Sequence, residues 1–127
     1  MTNRKHFKAC VFVEHGGDVS SILKLLESLN INAEVFSEPD SAVLKHKKEA
    51  FDLIIAEDDT KTGKGLKLIN DFVTINWMTS SVPISDLDEV SIHDRTEGLG
   101  ILGHMSHLGD VISLKPLMDK FKKFHQG

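Results

Sequence analysis

Two hydrophobic periods alternate along the chain. Lys8 to Glu14 (KACVFVE) is an unbroken apolar, β-branched and aromatic run, which predicts a strand buried on both faces. His15-Gly16-Gly17-Asp18 interrupts it, and the spacing then changes to threes and fours at Val19, Ile22, Leu23, Leu25, Leu26 and Leu29. That spacing predicts an amphipathic helix with Asp18 as its natural N-cap. Asn30-Ile31-Asn32 ends it, and Ala33 to Phe36 alternates as a second, less buried strand. Asp40 to Ala50 sets Ala42, Val43, Leu44 and Ala50 among lysines, a second helix. Phe51 to Ala56 is the third and most apolar strand, Gly65 to Phe72 a third helix, and Val73 to Thr79 (VTINWMT) a fourth strand.

After Thr79 two readings stay open. Both start a helix near Ser85, which can cap, with Asp86, Asp88 and Glu89 in its first turn, and Gly98 stops it. In the preferred reading Leu99 to Leu102 is the fifth strand and Asp110 to Phe124 the closing helix. Leu114, Leu117, Met118, Phe121 and Phe124 then share a face, while Pro116 fits only a first turn or a kink. The rival reading puts the fifth strand at Val111 to Leu114 and ends it on Lys115-Pro116. The preferred one leaves a closing helix of full length. The βαβαβαβ order argues for a parallel sheet wrapped on both sides by helices. With no repeat or linker in sight, residues 1–127 read as a single domain.

Composition narrows the class more than the function. A chain of 127 residues, 40% hydrophobic and 27% charged, can bury a real core. The net charge of -4 gives no general pull toward nucleic acid. The basic runs, His46-Lys47-Lys48 and Lys120 to Lys123, sit in helical patterns and read as solvated faces. The one cysteine, Cys10, lies in an apolar run and reads as a buried, inert thiol in a reducing compartment. No apolar stretch approaches the roughly twenty residues that span a bilayer. The N-terminus MTNRKHFK lacks the apolar core of a signal peptide. A cytoplasmic location, with no membrane or nucleic-acid partner, is expected.

The chemistry gathers where strands end. In doubly wound sheets, ligands collect at the carboxyl ends of the strands. Those ends here carry Glu14 and His15, then Glu57 and Asp58, then Thr79 and Ser80. The pattern resembles the receiver domain of two-component response regulators over nearly the whole chain. FDLIIAE resembles the strand that leads to that family's phospho-accepting aspartate, and Gly65 falls where its loop glycine precedes the third helix. VFVEH resembles the first strand with its two acids, and WMTSS the fourth strand ending in Thr or Ser. The resemblance implies a flavodoxin-like doubly wound α/β fold, five parallel strands in the order 2-1-3-4-5. It also implies that Glu57 stands at the phospho-acceptor position and Thr79 at the switch position, with Glu14 and Asp58 left as weak ligands for magnesium.

Departures from the family pattern decide the expected activity. Glu57 replaces the acceptor aspartate and His15 one of the two metal-holding acids. The loop after Glu57 lacks the usual proline. The lysine at the end of strand five becomes Gly103 in the preferred reading and survives as Lys115 only in the rival one. Phosphoryl transfer rests on position and charge, and a misplacement of order 1 Å costs roughly a hundredfold. Glutamate is one methylene longer, and imidazole is a poor substitute where Mg²⁺ wants oxygen. Asp58 cannot simply take over, because adjacent residues of an extended chain point to opposite sides. Glu57 is then either a fixed charge where the family has a switchable one, or part of a degenerate site. On both readings the expected function is a non-enzymatic signalling module without a cofactor, acting on a protein partner or on a second copy of itself; a conventional Mg²⁺-dependent phospho-acceptor receiver is the alternative.

Histidines offer a different class of function. His104 and His107, at HxxH spacing after strand five, are candidates to join His15 and Glu57 around zinc. Solvated loop histidines are the plainer reading, and His93 and Asp94 belong on the outer face of the fourth helix. Gly63-Lys64-Gly65 lacks P-loop spacing, Gly98-Leu99-Gly100 lacks the third glycine of a dinucleotide fingerprint, and Gly16-Gly17-Asp18 is a capped turn. No catalytic constellation emerges.

Overall fold

In the computed structural model, residues 6–126 are described. The first five residues, part of the stretch read as lacking a leader, lie outside them. The elements run β1 (Phe7–Phe12), α1 (Ser20–Ser28), β2 (Ile31–Phe36), α2 (Pro39–Lys48), β3 (Leu53–Glu57), α3 (Lys64–Ile75), β4 (Ser80–Ile84), α4 (Glu89–Arg95) and α5 (Val111–Gln126). Four parallel strands form one sheet in the order β2-β1-β3-β4.

Each central strand is apolar on both faces because each face meets helices. Ala9 and Val11 of β1 and Leu53 and Ile55 of β3 pack with Ile22 and Leu26 of α1 and with Leu114, Met118 and Phe121 of α5. The intervening residues Cys10, Phe12, Ile54 and Ala56 pack with Ala42 of α2 and with Leu68, Ile69 and Phe72 of α3. The side-chain period of two thus splits one strand between two cores. Burial pushes the Cys10 thiol far above its ordinary pKa, in keeping with an inert core residue.

Three sequence expectations need correction. Val73 to Ile75 continue α3 rather than starting a strand, because Leu68, Ile69 and Phe72 carry the helical spacing on to a C-cap at Asn76. The fourth strand is Ser80–Ile84, and Thr79 precedes it with its hydroxyl donating to the Phe51 carbonyl at 2.8 Å.

The fifth strand is not formed at Leu99–Leu102, and the rival strand at Val111–Leu114 lies inside α5. An irregular segment borders β4 instead, making one parallel bridge between Ile84 and Met105. Leu102 N–H donates to Ser81 O, Met105 N–H to Pro83 O, and Ser85 N–H to Met105 O. Residues 81, 83 and 85 therefore face this segment. Pro83 has no N–H to give it, so a regular ladder cannot close there.

The third correction concerns His46, which is 1% exposed rather than part of a solvated basic face. Smaller shifts affect helix starts. Asp18 lies one residue before the α1 cap position, yet its carboxylate still accepts from Ser20 N–H at 2.9 Å. α4 is capped by Asp88, which accepts from Ser91 N–H at 2.8 Å, so Ser85 stays outside that helix. His93 and Asp94 are exposed on it, as expected. Pro116 is inside α5 rather than in its first turn, with Leu114, Leu117, Met118 and Phe121 of the same helix buried.

Candidate functional site

The carboxyl ends of β1, β3 and β4 open onto one cavity of about 850 Å³. Its lining includes His15, Glu57, Asp58, Ser85, Ser106 and His107. Glu57 is half-buried at the last position of β3, and its Oε1 is buried without a hydrogen-bond partner. Asp58 turns toward α3, where Oδ1 accepts from Leu66 N–H at 3.0 Å, while its backbone N–H donates to Ile84 O at 2.9 Å. The Asp58 residue is 6% exposed, and Oδ2 has no partner.

Gly65 lets α3 approach this strand end. A Cβ there would press on the Glu57 carbonyl oxygen and come within 2.8 Å of Asp58 Cα. Glycine at this position is thus dictated by contact between helix and loop.

Glu14, His15 and Asp59 form a tight group beside the cavity. His15 Nε2 lies 3.0 Å from Asp59 Oδ2 and 3.8 Å from Glu14 Oε2. Thr62 Oγ1 donates to Glu14 Oε1 at 2.8 Å, and Lys61 N–H donates to Asp59 Oδ1 at 2.9 Å. The Lys61 amide, with the His15 hydrogen bond behind it, holds the Asp59 carboxyl below its ordinary pKa. Sequence reading picked out Glu14 and His15 but passed over Asp59, since no local motif marks it.

The other sequence candidates are not drawn into one group. Among the described residues, the group of three possible metal donors within 4.8 Å is Glu14, His15 and Asp59, without His104, His107 or Glu57. His107 lines the cavity but its Nδ1 accepts from Gly109 N–H at 3.1 Å, and His104 is outside the lining. Thr79 sits at the opposite end of β4 from the cavity. The hydroxyl at the carboxyl end is Ser85, 3% exposed, whose Oγ accepts from Leu87 N–H at 3.2 Å. Correct placement of β4 would have found it.

No lysine ends the edge segment. After the bridge at Met105 comes Ser106, whose N–H and hydroxyl both donate to Asp110 Oδ2, at 3.0 and 2.9 Å. These bonds and Ser113 N–H, led by the Ser106 amide, hold the Asp110 carboxyl at a pKa of about 2. Lys115 is exposed on α5 and takes no part in the cavity.

No protein-family profile and no curated protein matches the chain in sequence. Solved structures do match it in shape. The BeF3-activated DrrB receiver domain superposes with a TM-score of 0.77 at 12% identity, covering 94% of this chain and 99% of that one. A CheY-like response regulator receiver domain protein from Methanospirillum hungatei JF-1 gives 0.77 at 11%, covering 96% and 98%. The non-phosphorylated HemR receiver domain from Leptospira biflexa gives 0.72 at 14%, covering 90% and 92%. The fold is that of response-regulator receiver domains, with an irregular segment where the expected fifth strand would run.

Magnesium, which the receiver resemblance implies, is poorly served by these residues. An imidazole stands beside Glu14, and the Asp58 oxygen that is hydrogen-bonded faces α3. Mg²⁺ takes oxygen in near-octahedral geometry and gains little from nitrogen.

Proposed function

We propose that the chain is a receiver-type signalling module that keeps Glu57 as a permanent charge, accepts no phosphoryl group and acts by contact with a protein partner. The observation that carries this reading is Glu57 itself, half-buried at the end of β3 and facing the cavity where an acceptor aspartate would stand. Three further features support it. His15 stands where the resembled family has a metal-holding acid, Ser106 follows the edge bridge where that family has a phosphate-binding lysine, and Lys115 is outside the cavity lining. The neighbouring acids offer no easy substitute nucleophile. Asp58 is buried with one carboxylate oxygen held by Leu66 N–H, and Asp59 is engaged by His15 and Lys61. In-line phosphoryl transfer needs both a positioned nucleophile and neutralised phosphate oxygens.

The test is incubation with acetyl phosphate and Mg²⁺, followed by intact-mass measurement. The expected mass is unchanged, and Glu57→Asp alone does not restore phosphorylation while His15 remains. A stable, Mg²⁺-dependent gain of one phosphoryl group on the natural chain overturns the proposal and restores ordinary receiver chemistry.

A further inference from the structure

We propose that Glu14, His15 and Asp59 bind a borderline divalent cation such as Zn²⁺ in preference to Mg²⁺. Tetrahedral zinc with ligand bonds near 2.0–2.1 Å places its donor atoms about 3.3 Å apart. The separations of 3.0 Å (His15 to Asp59) and 3.8 Å (His15 to Glu14) bracket that value, and all three donor atoms lie within 4.8 Å of one another. One imidazole nitrogen with two carboxylates suits zinc, cobalt or nickel, whereas magnesium prefers oxygen throughout. Two of the ligands are already oriented, Glu14 by the Thr62 hydroxyl and Asp59 by the Lys61 amide. Such supporting bonds are what fix metal ligands in place.

A separate observation also points to a cation. Asp58, 6% exposed, lines the cavity with a buried oxygen that has no hydrogen-bond partner, and Glu57 there has another. Buried carboxylate oxygens are costly to leave unpaired. Asp18, Glu57, Asp58, Asp59 and Asp86 line this cavity with Lys61, so carboxylates outnumber ammonium groups. A dication beside Glu14 and Asp59 offsets that charge. Three protein ligands would leave a fourth coordination position for water or an exogenous donor.

Calorimetric titration of the full chain with ZnCl₂ and, separately, with MgCl₂ tests this. One Zn²⁺ per chain is expected, bound more tightly than Mg²⁺. His15→Ala and Asp59→Asn each weaken zinc about tenfold or more. His104→Ala and His107→Ala leave it unchanged, which separates this site from adventitious histidine binding. His15→Asp, an all-oxygen set, shifts preference toward Mg²⁺. Urea midpoints without metal, expected to match the natural chain, show that the variants still fold. Zinc affinity indifferent to His15→Ala, or Mg²⁺ bound as tightly as Zn²⁺, overturns the proposal. Neither outcome depends on whether Glu57 can be phosphorylated.

Discussion

His46 shows how much one residue's surroundings change its meaning. Its neighbours Lys47 and Lys48 are exposed, yet the imidazole lies flat on Phe72, with ring centroids 4.0 Å apart and planes at 3°. Phe51 N–H donates to Nδ1 at 3.0 Å, so Nδ1 must be the unprotonated nitrogen. Nε2 then carries the hydrogen and donates to the Phe72 carbonyl at 3.1 Å. The ring ties α2 to the end of α3 and to the chain entering β3. Burial lowers its pKa, opposed in part by the Phe72 bond. The unfolded chain therefore binds a proton that the folded chain resists, and stability falls as pH drops below the ordinary histidine value of about 6.5. Urea unfolding is expected to show lower stability at pH 5.5 than at pH 7.5, the comparison being made about one unit either side of that value. His46→Phe keeps the stacking but orphans the buried Phe51 N–H, while the Phe72 carbonyl still accepts from Asn76 N–H, so it costs about 1–3 kcal/mol at the higher pH. It also removes much of the pH dependence. An equal loss of stability on acidification in both proteins would assign the effect to other groups.

Secondary structure was legible wherever the hydrophobic period was unambiguous, in α5 even across Pro116. β1, β3, α1 and α5 follow the runs KACVFVE, LIIA, VSSILKLL and LKPLMDKF closely. The fourth strand was misplaced because VTINWMT has the residue types of a strand, while the true strand, SSVPI, contains a proline. Pro83 is tolerated because its nitrogen faces the irregular segment, and that same absent donor keeps the fifth strand from becoming regular. Both errors share one residue. The site was half legible: Glu14, His15, Glu57 and Asp58 stand at strand ends that sequence could place, whereas Asp59 and Ser85 depend on loop geometry and on the register of β4. Gly65 was read from resemblance, and its physical reason is the close approach of α3 to the Glu57 carbonyl. Gly65→Ala improves helix propensity by roughly 1 kcal/mol but forces the helix off the strand, so a net loss of about 1–2 kcal/mol is expected. A denaturation midpoint equal to or above that of the natural chain contradicts the contact as the cause.

At the scale of the molecule, the two ends of the sheet differ in chemistry. The carboxyl ends carry the acidic cavity, and no helix among the described residues is long and apolar enough to cross a membrane. Near the opposite end, Ser80 at the start of β4 meets His125 at the end of α5, Oγ to Nε2 at 3.1 Å. Beside this junction, Trp77 and Met78 precede β4 with 77% and 44% of their surface exposed, and Phe124 is 52% exposed. The apolar stripe of α5 thus divides. Leu114, Leu117, Met118 and Phe121 are buried in the core, so Met118 is not a surface residue, while Phe124 projects beyond it. The proposed role of signalling by contact needs such surface, because apolar side chains shielded from water on association drive binding. A weak homodimer involving Phe124 is therefore expected, seen as a light-scattering mass that rises with concentration. Phe124→Glu puts a charge on that surface without touching the core, so it keeps the urea midpoint of the natural chain and holds the mass at one chain. A natural chain that stays monomeric at high concentration, with Phe124→Glu altering only stability, returns Phe124 to the core and leaves contact to another face.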